Sequence, residues 1–106
     1  MKIIYSRLFA NDVNDISDYV ANELKNPSSA QKLKASFYEE IKRLCDSPYL
    51  GEALPPLYQT YGRNVRRLVF KNYLIIYSVS DVIVAERLLY ARRDWMGIFK
   101  PESQNL

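Results

Sequence analysis

The spacing of apolar side chains changes once along this chain, near Gly62. Before it they recur every three or four residues; after it they run almost without a break. Phe9, Val13, Ile16, Val20 and Leu24 share one face of an amphipathic helix over residues 8–25, with Asp12, Asp15 and Asp18 on other faces. Asn26-Pro27 stops that helix, since proline disfavours the helical region for the residue before it. Ser28 with Gln31 has the form of a capping box and opens a second helix, whose apolar positions are Ala30, Leu33, Phe37, Ile41 and Leu44. Ser47-Pro48 ends it. Lys2 to Ser6 reads as a short edge strand, and residues 48–62 as a connector pinned to the core by Leu50, Leu54 and Leu57.

Beyond Gly62, three runs rich in Val, Ile, Leu, Tyr and Phe are separated by Lys71-Asn72 and Ser80-Asp81, the pattern of an antiparallel meander with tight turns. The middle run, residues 73–79, has only Ser78 as a small polar residue, so it is expected to be covered on both faces. Asp94 is placed to cap one helical turn from Trp95 to Phe99; Pro101 closes the ordered part, and residues 102–106 read as frayed. The expectation is one α+β domain over residues 1–106: a helix hairpin packed on one face of an antiparallel sheet, with a short C-terminal helical turn.

Charge sharpens this division. The net charge is +3, but residues 1–62 hold seven Lys+Arg against eight Asp+Glu, while residues 63–100 hold eight against three. The positive field belongs to the sheet half, where it favours RNA or an acidic protein. Equally, arginine stems on a strand pack against aromatic rings and leave only their heads in water. With no histidine and a single cysteine, Cys45, no disulfide within the chain, metal site or cofactor is expected. Cys45 itself reads as a small buried hydrophobe. No apolar run is long enough to span a membrane and the first residues do not read as a signal peptide, so the expected location is cytoplasmic.

The order Arg66-Arg67-Leu-Val-Phe-Lys-Asn-Tyr-Leu-Ile-Ile-Tyr77, followed by Arg87-Leu-Leu-Tyr-Ala-Arg-Arg-Asp-Trp95, resembles the C-terminal half of the RelE/ParE superfamily of toxins from type II toxin–antitoxin modules. The likeness extends more loosely over residues 1–100 and favours the ParE-like branch. In the ribonuclease branch, basic residues on the first two strands of the meander, an arginine near the end of the last and a C-terminal tyrosine or histidine surround the cut phosphate. Here Arg67, with Arg66 beside it, and Arg93 fit that pattern. Two positions depart: Leu74 stands where those ribonucleases commonly carry arginine, and Phe99 about where their C-terminal tyrosine falls. A phenyl ring has no proton to give.

Metal-free RNA cleavage needs a base, donors for the growing phosphate charge and an acid. The candidate catalytic residues, if the chain is a ribonuclease, are Arg67, Arg93 and Tyr90, with Glu86 as the one acid inside the strands. The candidate binding residues are Arg66, Arg67, Lys71, Arg87, Arg92, Arg93 and Trp95, and the arginines at 66, 67, 92 and 93 are expected to end near one another. Three functions are open: a toxin that blocks DNA gyrase, a ribosome-dependent messenger ribonuclease, and a basic binding module without toxicity. The resemblance also implies a small acidic antitoxin as partner, alongside gyrase or the ribosome with its messenger.

Overall fold

A computed structural model describes residues 1–92 and 95–99. Its sheet has five strands: β1 (Ile3–Tyr5), β2 (Glu52–Ala53), β3 (Asn64–Phe70), β4 (Tyr73–Val79) and β5 (Ile83–Tyr90). Their spatial order is β1-β5-β4-β3-β2, with β4 central as expected. The meander is antiparallel, but β1 runs parallel to β5, so the sheet is mixed. The connector supplies an unforeseen fifth strand, β2, which pairs with β3 across Glu52–Arg67 and Ala53–Arg66.

Helices α1 (Arg7–Asp18) and α2 (Pro27–Lys42) form the hairpin on one face. Ser6 caps α1 by accepting from Phe9 N–H at 3.0 Å, which relieves one of the donors that a helix start leaves unpaired. Phe9, Val13 and Ile16 are buried, but α1 gives way to a π turn at Tyr19–Glu23. A π turn takes more residues per revolution than an α turn, so the apolar stripe falls out of phase. Val20 is therefore only half-buried and Leu24 is exposed, contrary to the five-residue stripe expected from spacing. The α2 cap also differs from the expected Ser28–Gln31 box. Asn26 accepts from Ser29 N–H at 3.2 Å, and Pro27 occupies the first turn, where its missing N–H costs nothing.

The hairpin closes over Ile75, Tyr77, Val79, Ile83, Ala85 and Leu88. Phe37 lies at the centre, edge-on to Phe70 (6.0 Å) and Tyr73 (5.0 Å). The opposite face carries a smaller cluster of Leu57, Val65, Leu74, Ile76 and Leu89. It is roofed by the connector, through Leu54, Tyr58 and Tyr61, and by a final 3-10 turn at Trp95–Phe99. Of the three leucines expected to pin the connector, Leu57 is buried and Leu54 half-buried, whereas Leu50 is exposed because it precedes β2.

Tyr77 anchors the start of the connector. Its buried hydroxyl accepts from Gly51 N–H and donates to Pro48 C=O, both at 2.8 Å. A Cβ at Gly51 would fall 2.5 Å from the Arg67 carbonyl oxygen and 2.8 Å from that hydroxyl, so only glycine allows β2 to approach β3. The connector then passes through a single helical turn, α3 (Tyr58–Tyr61), closed by Gly62 at φ +69°. Cys45 ends the α2 segment half-buried rather than fully enclosed.

Candidate functional site

Alternation along the strands decides which of the basic residues can act together. Arg66 pairs across to Tyr77, on the helix side, while Arg67 pairs to Ile76, on the other. The two adjacent arginines thus project from opposite faces, and the expected gathering of Arg66 and Arg67 does not occur. Arg66 is a clamp for the connector. It donates to Gly51 C=O at 2.7 Å, to Tyr49 C=O at 3.3 Å and to Asn64 Oδ1 at 3.0 Å, and its guanidinium lies 4.8 Å from the Tyr49 ring centroid.

Arg67 holds Glu52 through Nε (3.1 Å) and an outer nitrogen (2.8 Å), and its guanidinium lies over the Trp95 ring at 6.0 Å. It therefore joins β2, β3 and the final turn on one face. Trp95 and Tyr61 both pack near Phe99, at 6.4 Å and 6.1 Å between ring centroids. Leu74, on the same face as Arg67, is buried beneath this group. Where a ribonuclease would present arginine and a proton donor, this chain has built a small apolar core.

Arg87 lies on the rung shared with Ile76 and Arg67. A bulge between Ile76 and Tyr77 inserts Glu86 as an extra residue in β5 and turns the backbone there. Arg87 then makes a two-pronged ion pair with Asp12 of α1, at 2.8 and 3.1 Å, and Asp12 also accepts from Leu88 N–H at 2.9 Å. This pairing raises the Arg87 pKa above its ordinary value despite partial burial. Asp12 also completes an edge. β1 reaches only as far as Ala85, after which Ser6 Oγ–H donates to Glu86 C=O (2.8 Å) and Asp12 takes the next outward N–H.

Glu86 is buried and accepts from Ser78 Oγ–H at 2.8 Å, with Arg63 Nε at 3.8 Å. That Arg63 nitrogen is itself buried and makes no hydrogen bond among the described residues. Tyr61 sits over this group. Burial first, and the nearby Glu86 charge second, push its pKa up to about 12. Tyr61, Arg63 and Asp12 were not singled out in the sequence; a bulge and a helix–strand ion pair leave no local signature.

Tyr90 lies beside Tyr73 with ring centroids 5.3 Å apart and planes tilted by 39°, and burial raises the Tyr73 pKa. Since Tyr73 belongs to the helix-side cluster, Tyr90 lies on that side, across the sheet from Arg67. Arg92 is exposed beyond the end of β5 and lines a groove of about 280 Å³ with Asn72, Tyr73 and Tyr90. Lys71 is exposed at the β3–β4 turn with φ 55°. Arg93 and the Asp94 cap, like Pro101 and the residues after it, lie outside the described residues.

A helix hairpin laid on one face of a five-stranded mixed sheet, with a small roofed apolar patch behind, defines an α+β fold. The chain belongs to the ParE family, the toxins of type II parDE systems, whose family model matches residues 3–95. It is similar in fold to a solved structure described as the chromosomal ParDE TA system from P. aeruginosa, with a TM-score of 0.70 and 22% identity over 87% of this chain and 97% of that one. No curated protein matches the sequence. Membership of a toxin–antitoxin family implies an antitoxin as counterpart. No helix among the described residues is long and apolar enough to cross a membrane.

Proposed function

We propose that this protein is a growth-inhibiting toxin that works in the cytoplasm by binding and blocking DNA gyrase, without cutting RNA. The observation that carries the reading is the separation of Arg67 from Tyr90 by the sheet itself, together with the burial of Leu74 under the Trp95–Phe99 turn. General acid–base cleavage needs its groups around one phosphate, and these residues cannot meet there. What the Arg67 face offers instead is a binding surface: a half-exposed guanidinium fixed over Trp95 and held by Glu52. We assign target binding to Arg67 and Trp95, and propose Arg92 and Arg93 as further binding residues. Arg66 and Arg87 serve as scaffold.

Purified protein added to gyrase and relaxed plasmid should reduce supercoiling, and ribosome-bound messenger incubated with it should stay intact. Arg67→Ala should weaken inhibition by up to about 30-fold, which corresponds to a binding loss of about 2 kcal/mol. Messenger cuts that vanish in the same variant, with supercoiling untouched, would replace this reading by the ribonuclease one. Growth unaffected by high expression of the folded protein would favour a binding module without toxicity.

A further inference from the structure

At the turn end of the sheet, where β4 begins and β5 ends, Asn72, Tyr73, Tyr90 and Arg92 line an open groove of about 280 Å³. Its walls are set before anything enters. Tyr73 and Tyr90 are direct partners across β4 and β5, and Phe37 holds the Tyr73 ring edge-on at 5.0 Å. The Asn72 carbonyl accepts from Ala91 N–H at 2.9 Å, which ties the turn to the end of β5. The open surface is chemically mixed. Tyr90 is 42% exposed, Asn72 and Arg92 are exposed, and no acidic side chain among the described residues lines the groove. Past Tyr90 the charge changes sign: the adjoining hollow beside α1 is lined by Asp12, Asp15 and Arg87, and Arg87 is already paired with Asp12.

We propose that this groove binds one free nucleotide, with its base against the Tyr90 and Tyr73 rings, the edge of the base on the Asn72 amide and the phosphate on Arg92. A base stacks on an aromatic ring, an amide presents a donor and an acceptor side by side as adenine requires, and a guanidinium matches two phosphate oxygens at once. All three groups line one groove. Its size suits a single nucleotide, since ligand pockets begin at roughly 300 Å³ and this one holds about 280 Å³. Because the ring of Tyr73 and the turn at Asn72 are already tied in place, little ordering opposes binding. A polynucleotide fits less well: a strand threading the groove would carry a phosphate past Tyr90, where the carboxylates of Asp12 and Asp15 outnumber Arg87. Nothing here depends on gyrase. Arg92 is the one residue shared with the surface proposed for target binding, and both tyrosines lie across the sheet from Arg67.

The test uses the full chain, labelled with nitrogen-15, and adenosine 5′-monophosphate. Saturable shifts are expected at the amides of Asn72, Tyr73, Tyr90 and Ala91. Ribose 5-phosphate, which lacks the base, and adenosine, which lacks the phosphate, should each bind at least about tenfold more weakly. Tyr90→Leu should also lose about tenfold, whereas Tyr90→Phe should keep most of the affinity, since the ring and not the hydroxyl does the stacking. Arg92→Gln should lose about tenfold. Lys32→Gln removes the same charge from an exposed position on α2 and should leave binding unchanged. A thermal melt accompanies each variant, and if Tyr90→Leu melts early, Arg92→Gln at its exposed position beyond β5 decides. Ribose phosphate binding as tightly as the nucleotide, shifts centred elsewhere, or full affinity in a folded Tyr90→Leu or Arg92→Gln would each overturn the proposal. So would single-stranded oligoadenylate binding more than about tenfold tighter than the mononucleotide, which would make the groove part of a nucleic-acid surface.

Discussion

The two faces of the sheet are built on different terms. The helix side buries Phe9, Val13, Phe37, Ile41, Ile75, Tyr77 and Ile83 completely, and its covering layer comes from two helices set by their own periodicity. The opposite side buries five residues under a connector and a 3-10 turn, and the aromatic side chains that roof it are only partly enclosed. A helix brings a continuous apolar stripe, whereas an irregular segment must be tied down point by point. Tyr77, Gly51, Arg66 and Arg67 are those ties. Stability is thus concentrated on one face, and the surface proposed for target binding is on the other. Binding elements are commonly drawn from the less stable part of a molecule.

The sharpest break of this comparison is to truncate one side chain on each face. Phe37→Ala removes a fully buried ring that meets the partly buried Phe70 and Tyr73, and should cost about 3–5 kcal/mol in denaturant unfolding. Leu57→Ala, under the connector, should cost about 2–3 kcal/mol, since the roof there is thin enough to settle into the space. Equal losses would mean that the two clusters behave as one core. Hydrogen exchange adds a second view: amides of residues 57–62 should open before those of β4 in the unaltered protein.

These numbers also measure what could be read from the residues. The helix side was legible because Phe9, Val13, Ile16, Ala30, Phe37, Ile41 and Leu44 repeat with the period of a helix, and the meander was legible because β4 is apolar but for Ser78. What escaped was set by contacts distant in sequence. β2 exists because Gly51 lets Glu52 reach Arg67, and nothing within residues 48–56 declares a strand. The capping box at Ser28 lost to Asn26 because Pro27 is already suited to the first turn. Among the basic residues, sequence order showed that they belong to the sheet half. It did not show that Arg66 and Arg87 are held inside the fold, because their partners Tyr49 and Asp12 lie far away along the chain. The order Arg66-Arg67 itself carries the clue to their separation, because neighbours on a strand point opposite ways.

Asp12 joins the stable face to the edge of the sheet, and its removal should have an intermediate effect. Asp12→Ala strands both the Arg87 guanidinium and the Leu88 N–H, in a setting where the paired side chains are 14% and 19% exposed. A loss of about 2 kcal/mol is expected, below the 3–5 kcal/mol typical of a fully buried pair because Arg87 can turn partly to water. Asp12→Asn keeps an acceptor for Leu88 N–H but not the charge, and should recover about half. If Asn recovers nothing, the ion pair carries the whole effect; if it recovers everything, the edge hydrogen bond does.

The smallest effect is a dependence on pH that belongs to the thinly roofed face. Tyr61 ionises near the usual tyrosine value of 10 in the unfolded chain but at about 12 in the fold, since burial and the Glu86 charge both oppose a phenolate there. Below pH 10 both states hold the proton and the group adds no slope. Between pH 10 and about 12 the unfolded chain releases it while the folded chain keeps it, so the unfolded state binds fewer protons and stability falls as pH rises. Above 12 both are ionised and the slope ends. Tyr5, Tyr73 and Tyr77 are also raised by burial and contribute to the same decline, so the measurement has to be a difference. Tyr61→Phe should unfold less steeply with pH across that window than the unaltered protein and should lose the highest-pH component of the tyrosinate absorbance titration. An identical titration in Tyr61→Phe would mean that the connector opens to water before the tyrosine ionises, and the roof over Leu57 and Leu74 would then be looser than its packing implies.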